Sequence, residues 1–230
     1  MLAIDGMVTA YGSVEVLHGV SLAAKAGEIT CVMGRNGVGK TTLLRSIMGQ
    51  LKAKAGTVRL KDQDLSRAPA HLRARAGIAL VPQGREIFPK LTVRENLEIA
   101  FSARGAVDQA AVEAGMTMFP ILKEFAKRNG GDLSGGQQQQ LAIARALVGK
   151  PSVLLLDEPT EGIQPNIIEE IGRVLQRLAG EGMAIVLVEQ YLEFVKAIGH
   201  RFAIMDRGAI VAEGGTDGLT SEVVGKWLSV

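Results

Sequence analysis

The sequence predicts an α/β fold whose centre is a mainly parallel β-sheet. Strand and helix patterns alternate from about residue 30 to residue 206, as expected when right-handed helical crossovers connect parallel strands. Two runs, residues 153–156 and 183–188, are apolar along their whole length, which is typical of strands buried on both faces. A glycine-rich loop also lies between a predicted strand and a predicted helix, an order that recurs in this fold class.

The N-terminal residues 2–33 contain short strand patterns with turns at residues 11–13 and 26–28. Val20 and Leu22 alternate with polar or small neighbours, which predicts a half-buried strand. Tyr11 lies in the first turn, where an exposed aromatic ring can stack on an adenine base. A tyrosine in a turn is more often structural, so both interpretations stay open.

The glycine-rich loop at residues 34–41 matches the pattern Gly-x4-Gly-Lys-Ser/Thr at every fixed position. Glycines let several backbone N–H groups converge on an anion, and the following helix adds its positive dipole end. Lys40 can then reach the β- and γ-phosphates, and the Thr41 hydroxyl can bind Mg²⁺. The predicted nucleotide-binding residues are Gly34, Arg35, Asn36, Gly37, Val38, Gly39, Lys40, Thr41 and Thr42. The alternative is a glycine-rich turn that binds nothing.

The next predicted elements are a strand at residues 56–60, a helix at 69–76 and a short buried strand at 77–81. Gln83 follows the last of these strands closely and should therefore lie at an edge of the sheet. Its amide either projects into the nucleotide site or caps the strand.

Residues 92–128 lack strand patterns and show helical spacing instead. We expect Gly105, Gly115 and Pro120 to divide this segment into short helices. The length of 230 residues fits one domain, residues 1–230, with a helical subdomain at about residues 84–132 inserted in its core.

The sequence Leu-Ser-Gly-Gly-Gln at residues 133–137 begins another predicted helix, which runs to about Val148. Ser134 is a favourable N-cap residue, and Gln137 completes a capping box. The same residues would also suit a second phosphate-binding helix start, formed by Ser134, Gly135, Gly136 and Gln137. Local physical chemistry does not separate the two interpretations.

Two acidic residues, Asp157 and Glu158, end the apolar run at residues 153–156. In open α/β sheets, ligands bind at the carboxyl ends of the strands. Asp157 would hold Mg²⁺ directly or through water, and Glu158 would orient or deprotonate a water molecule. The alternative is a strand that ends in two solvated acids.

The remaining chain continues the alternation of helices and strands. Pro165 is expected to begin a helix with an apolar face, and a helix at 191–199 should follow the strand at 183–188. Two strands then form a hairpin that turns at Arg207 and Gly208, and the tail from Thr216 is helical.

Composition excludes several classes of function. A net charge of +2 and an aromatic content of 4% argue against a nucleic-acid partner. The single cysteine, Cys31, excludes an internal disulfide and fits a reducing compartment. No segment has the pattern of a secretory signal or a membrane helix, so we expect a soluble cytoplasmic chain that docks on a partner if it works at a membrane.

The order of these motifs resembles the ATP-binding subunits of ABC transporters over essentially the whole chain, and the Leu-Ser-Gly-Gly-Gln motif is the most specific part of the resemblance. The resemblance implies an ABC-type P-loop ATPase with an N-terminal antiparallel β subdomain and a helical insert. It implies that Tyr11 stacks on adenine and that Glu158 is the catalytic carboxylate. It also implies that Gln83 contacts Mg²⁺ and water and couples hydrolysis to the membrane partner.

The resemblance further implies a head-to-tail dimer that holds two ATP molecules between its subunits. Residues 134–137 would complete the ATP site of the opposing protomer. Closing of this dimer would move the helical inserts and, through them, the transmembrane permease subunits.

One position departs from the family pattern, because Gln190 occupies the place of the usual switch histidine after the strand at 183–188. Glutamine can donate a hydrogen bond to a γ-phosphate but cannot carry a proton or a positive charge. This leaves Glu158 as the main base, with Gln190 in a supporting catalytic role.

Finer resemblance points to importers of branched-chain amino acids and their urea-transporting relatives. Gln190 and the run at residues 84–89 resemble this group as a whole, whereas residues 137–140 and 161–165 resemble the urea branch. The implied function is the energising subunit of a urea importer, with a branched-chain amino acid importer as the alternative. The segment after the acidic pair is also implied to lie at the dimer interface.

The partners implied by this group are transmembrane permease subunits, a second ATP-binding chain and, indirectly, a solute-binding protein. A heterodimer on the inner face of the cell membrane is expected, with a homodimer as the alternative. Two rival functions are a non-transport ATPase in DNA repair or translation and a regulator that binds nucleotide without hydrolysis. The absence of a basic footprint disfavours the first rival, and the intact Glu158 disfavours the second.

Overall fold

The computed structural model describes residues 1–101 and 106–228, in which ten strands and nine α-helices are found. The strands are β1 (Leu2–Tyr11), β2 (Val14–Ala24), β3 (Ile29–Met33), β4 (Ala53–Leu60), β5 (Gln63–Asp64), β6 (Ile78–Val81), β7 (Val153–Asp157), β8 (Ala184–Val188), β9 (Arg201–Asp206) and β10 (Ala209–Gly215). The helices are α1 (Lys40–Met48), α2 (Ala70–Ala76), α3 (Val93–Glu98), α4 (Gln109–Met118), α5 (Pro120–Glu124), α6 (Gly135–Leu147), α7 (Pro165–Gly180), α8 (Leu192–Ile198) and α9 (Ser221–Trp227). Within the described ranges, no helix is both long enough and apolar enough to cross a membrane.

The central sheet has six strands in the order β10-β9-β3-β8-β7-β6. The five strands from β9 to β6 are parallel to one another, and only the edge strand β10 runs antiparallel. This arrangement confirms the predicted α/β fold with a mainly parallel sheet. Because parallel strands end at the same edge, the loops after β3, β6, β7 and β8 gather on one side of the molecule.

A second sheet is antiparallel and has the strand order β2-β1-β4-β5. Its strands β1 and β2 are longer than the short strands predicted, and register shifts mark irregularities along their pairing. The prediction that alternation from residue 30 to 206 builds one parallel sheet is wrong for β4, and the short strand β5 was not predicted. Strand β4 pairs antiparallel with β1, with Leu60 opposite Leu2, so this part of the chain leaves the central sheet.

The two faces of the central sheet bury different sets of side chains. One face packs against helices α3 to α8 and includes Cys31, Leu154 and Leu187. The other face packs against α1 and the antiparallel sheet and includes Val32 and Leu155. This division follows from the alternation of side chains along a strand. Burial raises the pKa of the Cys31 thiol to about 12, with a smaller contribution from the charge of Glu189, so this cysteine behaves as an inert core residue.

The predicted helical insert between β6 and α6 contains α3, α4 and α5. Pro120 separates two helices as predicted, because it is the first residue of α5. The prediction that Gly115 breaks a helix is wrong, since α4 runs through it. A Cβ atom at Gly115 would lie 2.7 Å from Val148 Cγ1, so glycine allows α4 to pack closely on the end of α6. Gly105 lies outside the described residues.

Candidate active site

The phosphate loop connects the end of β3 to α1 and is held in a glycine-dependent conformation. Gly34, Gly37 and Gly39 all have positive φ angles, of 149°, 81° and 108°. Gly34 also lies against the backbone of Met205 in β9, where a Cβ atom would overlap the carbonyl oxygen. The Gly208 N–H donates to Val38 O at 3.0 Å and ties the loop to the β9–β10 turn. Neighbouring elements therefore fix the curvature of the loop.

Lys40 places a cation inside this loop. Its side chain is only 5% exposed, and its Nζ donates to Gly34 O at 2.8 Å and to Arg35 O at 3.0 Å. The same Nζ lies 3.4 Å from Glu158 Oε1, which is its carboxylate partner. Thr42, also buried, follows on α1. The ammonium group is held where the phosphates of a nucleotide would meet it, beside the N-terminus of α1.

Glu158 follows β7 with a backbone conformation that is uncommon for glutamate. Its φ is 47°, and its N–H donates to Val188 O at 3.0 Å at the end of the neighbouring strand. A non-glycine residue with positive φ is held there by its surroundings and often marks a functional position. The conformation brings the Glu158 carboxylate from the end of β7 towards the phosphate loop.

Two glutamines converge on this carboxylate. Gln190 Nε2 lies 2.6 Å from Glu158 Oε1 and 2.7 Å from Asn36 Oδ1, so it bridges Glu158 and the phosphate loop. Gln83 Nε2 lies 3.3 Å from Glu158 Oε2 and 2.9 Å from Glu161 Oε2. A polar cavity of about 570 Å³ opens here and is lined by Asn36, Gln83, Glu158, Thr160, Glu161, Glu189, Gln190 and Tyr191. A smaller cavity of about 200 Å³ continues over the phosphate loop and shares Asn36, Gln83 and Glu158 with it.

Asp157 and Thr41 fit a divalent cation. Asp157 is 3% exposed, and its Oδ1 atom is buried without a hydrogen-bond partner. Burial raises the pKa of the Asp157 carboxyl above its ordinary value, while a hydrogen bond from Thr41 lowers it by a smaller amount. A cation beside Oδ1 would favour the ionised form and satisfy the atom, and carboxylate and hydroxyl oxygens are ligands that Mg²⁺ prefers.

Two other predicted parts of the site, Tyr11 and residues 134–137, do not line these two cavities. Tyr11 is the last residue of β1 and is 46% exposed. Its hairpin reaches the phosphate loop through Val16, which lines the smaller cavity. Residues 134–137 begin α6 with the predicted capping box, but they lie beside Arg85 and Ile167. The structure therefore does not bring residues 134–137 to the phosphate loop of their own chain.

Four residues that line the larger cavity were given no catalytic or nucleotide-binding role by the sequence: Thr160, Glu161, Glu189 and Tyr191. Glu189 follows β8 in the same way that Glu158 follows β7, so the rule that singled out Glu158 also applies to it. Thr160 and Glu161 reach the cavity only because the loop after Glu158 turns back, with the Glu161 N–H donating to Glu158 O at 3.3 Å. Pro159, at the second position of that turn, is a local signal that could have predicted it.

The bridging position of Gln190 leads to a testable prediction. We expect Gln190→Ala to lower ATP turnover about tenfold and to change ATP affinity much less, because its amide contacts the carboxylate rather than the phosphate loop alone. Steady-state hydrolysis and equilibrium nucleotide binding would measure the two effects. Gln176→Ala is a matched control, since Gln176 donates only to Ala197 O on the outer helices. Unchanged turnover in Gln190→Ala would contradict the prediction.

Comparison with known proteins gives one consistent result. The protein-family model described as ABC transporter matches residues 17–161. The high-affinity branched-chain amino acid transport ATP-binding protein BraG of Pseudomonas aeruginosa is 40% identical, over 92% of this chain and 91% of that protein. The probable branched-chain amino acid transport ATP-binding protein LivF of Archaeoglobus fulgidus is 38% identical, over 89% of this chain and 87% of that protein.

Solved structures agree with the sequence comparisons. A dimeric ATP-binding cassette in a post-hydrolysis state, bound to ADP and phosphate, superposes with a TM-score of 0.85. It is 29% identical to this chain, and the match covers 95% of this chain and all of that one.

Proposed function

Because the chain belongs to the ABC transporter family and is one of its ATP-hydrolysing subunits, we propose that it drives the import of a small solute, urea, into the cell. The observation that carries the hydrolytic part of this proposal is the convergence of Lys40, Glu158 and Gln190 at the phosphate loop. The Glu158 carboxylate, a base, lies 3.4 Å from the Lys40 ammonium, a cation for the phosphates, and 2.6 Å from the Gln190 amide, a hydrogen-bond donor.

The proposed roles combine this geometry with the roles that the resemblance to ABC transporter subunits implies for Tyr11 and Gln83. Backbone N–H groups of residues 34–42 and the Lys40 ammonium would bind the phosphates of ATP, and the Tyr11 ring would stack on its adenine. Glu158 would accept a proton from the attacking water, while the Gln190 amide orients Glu158 and donates towards the γ-phosphate. Thr41, Asp157 and Gln83 would hold Mg²⁺, which when bound neutralises negative charge on the phosphate oxygens.

A second protomer would complete the site. Ser134, Gly135, Gly136 and Gln137 form a capped helix N-terminus, yet they lie apart from the phosphate loop of their own chain. We propose that they bind ATP held by the opposing subunit, so that ATP bridges the two chains. The related cassette described as dimeric supports this assembly.

The proposed setting is the inner face of the cell membrane, where the chain pairs with transmembrane permease subunits. A similar but distinct ATP-binding chain would be the second subunit, and a solute-binding protein would deliver the solute. The match to the ABC transporter family supports the link to permease subunits. The heterodimer and the solute-binding protein rest on the resemblance of Gln190 and residues 84–89 to importers of branched-chain amino acids and urea.

Two solutes are candidates. Urea is favoured by the sequence of residues 161–165 and by the four consecutive glutamines at 137–140. A branched-chain amino acid is favoured by the names of the two relatives at 40% and 38% identity. The chain itself contains no residue assigned to the solute, so an experiment must decide between them.

Uptake of labelled urea and labelled leucine should be measured in cells that lack this protein. The cells would be complemented with the wild type or with Glu158→Gln. We expect urea uptake to be lost and to return only with the wild type. Loss of leucine uptake alone would move the chain to the amino acid importers, and unchanged uptake of both solutes would contradict both assignments.

A further inference from the structure

Glu189 is a buried carboxylate at the end of β8, next to the site but without an assigned role. Only 2% of the Glu189 surface is exposed. Oε1 accepts hydrogen bonds from the Thr160 N–H at 3.1 Å and from the Thr160 hydroxyl at 2.6 Å. Oε2 accepts from the Gln190 N–H at 2.9 Å and from the Tyr191 N–H at 3.1 Å. Four donors therefore surround one carboxylate.

These four hydrogen bonds fix the position of the Glu189 carboxylate. A buried carboxylate is costly unless hydrogen bonds compensate for the lost water. Bonds from N–H and O–H groups to an ionised oxygen are short and strong, and two donors at each oxygen also fix the orientation of the plane. Glu189 thus acts as a rigid link between the atoms that bond to its two oxygens.

The two ends of this link belong to the two loops that carry the proposed catalytic groups. Thr160 lies two residues after Glu158, in the loop that follows β7. Gln190 and Tyr191 begin the loop that follows β8. Two other described bonds connect these segments: the Glu158 N–H donates to Val188 O at the strand ends, and Gln190 Nε2 donates to Glu158 Oε1 in the cavity. Glu189 joins the loops one step closer to the cavity.

We infer that Glu189 is a positioning residue for ATP hydrolysis. It holds the loops after β7 and β8 in a fixed relation, so that the Gln190 amide meets the Glu158 carboxylate at 2.6 Å. Glu189 acts through these two side chains and needs no contact with ATP. The inference rests on the proposed roles of Glu158 and Gln190. Its test must therefore distinguish a wrong role of Glu189 from a wrong catalytic site.

Glu189→Gln is the first variant, because it keeps the shape of the side chain. The new amide nitrogen must replace one oxygen and would face two donors, so two of the four hydrogen bonds are lost. We expect kcat for ATP hydrolysis to fall about tenfold to a hundredfold, as displacement of catalytic groups by about 1 Å can do. The Kd for ATP, measured by equilibrium titration, should stay within about threefold of the wild type, because the phosphate loop is untouched.

Loss of negative charge is a competing explanation, and a second variant excludes it. Thr160→Val removes the 2.6 Å hydrogen bond to Glu189 without changing any charge, and it should also lower kcat with little change in Kd. Thr160→Ser keeps the hydroxyl and should restore most of kcat. Thr216→Val is the matched control, because it removes a threonine hydroxyl that donates to Gly199 O away from the cavity. Thermal unfolding of each variant shows whether it remains folded.

A double-mutant cycle identifies the route of the effect. If Glu189 acts through Gln190, then Glu189→Gln should lower kcat much less in a Gln190→Ala background than in the wild type. Equal losses in both backgrounds, or a wild-type kcat in both Glu189→Gln and Thr160→Val, would overturn the inference. Glu158→Gln should be measured in parallel. If Glu158→Gln remains active, the proposed catalytic site itself is wrong. If Glu158→Gln is inactive while Glu189→Gln and Thr160→Val keep the wild-type kcat, only the role of Glu189 is wrong.

Discussion

Replacing Glu158 with glutamine is expected to reduce ATP turnover by about a hundredfold or more while ATP still binds. A positioned general base typically contributes a factor of this size or larger. The amide keeps the shape of the side chain, but it cannot accept a proton from water. It also loses the ion pair with Lys40, which lies 3.4 Å away, so Lys40 is freed for the phosphates and their binding is expected to become tighter. Single-turnover hydrolysis and equilibrium ATP titration would measure the two quantities.

The identity of the base is tested by the neighbouring carboxylate. Glu161 shares Gln83 with Glu158 and lines the same cavity, so Glu161→Gln removes a second acid from the same site. A larger loss of turnover in Glu161→Gln than in Glu158→Gln would show that the assignment to Glu158 is wrong. Glu181→Gln, at an exposed ion pair with Arg177 beyond the end of α7, controls for the chemical change alone.

Gly34→Ala is expected to weaken ATP binding at least tenfold and to destabilise the fold by about 2–4 kcal/mol. The new Cβ atom would overlap Met205 O and lie 2.9 Å from Val38 Cγ2, at a φ of 149° that favours glycine. Backbone must therefore move, either in β9 or in the phosphate loop. Either movement changes the curvature that brings the loop N–H groups together.

Gly182→Ala is the matched control for this variant. Gly182 also has a positive φ, of 98°, but a Cβ atom there meets nothing within 4 Å. It should lose about 1 kcal/mol from left-handed strain alone and bind ATP as the wild type does. Denaturant unfolding and ATP titration of both variants would test the difference. Wild-type ATP affinity in Gly34→Ala would contradict the proposed role of the loop.

Local pattern predicted most of the central sheet and much of the site. The phosphate loop is predicted by its glycine motif, and the acids at the end of β7 by a buried strand that ends in carboxylates. The role of Gln190 after β8 is predicted only by the resemblance to ABC transporter subunits. Their meeting follows from one rule, that parallel strands end at the same edge. The capping box at Ser134 and the helix start at Pro165 were also predictable, because caps depend on neighbouring residues alone.

Features that depend on distant contacts were missed. Strand β4 has an ordinary strand pattern, and nothing in it specifies that β1 rather than the central sheet is its partner. Gly115 looks like a helix breaker until the close approach of Val148 is known. The role inferred for Glu189 depends on Thr160, 29 residues away along the chain, whose hydroxyl meets it only in the folded protein.

The alternation of side chains at the end of β8 has a consequence for how this protein can change in evolution. Glu189 is buried and Gln190 is exposed to the cavity. The pairing of Asp157 with Val188 determines which of the two residues is buried. Inserting or deleting one residue in β7 or β8 would exchange these environments and place the carboxylate linker where the amide donor belongs. A substitution at one of these positions changes one side chain, whereas a change in strand length displaces both side chains at once. Length variation among descendants is expected to accumulate in loops far from this edge of the sheet.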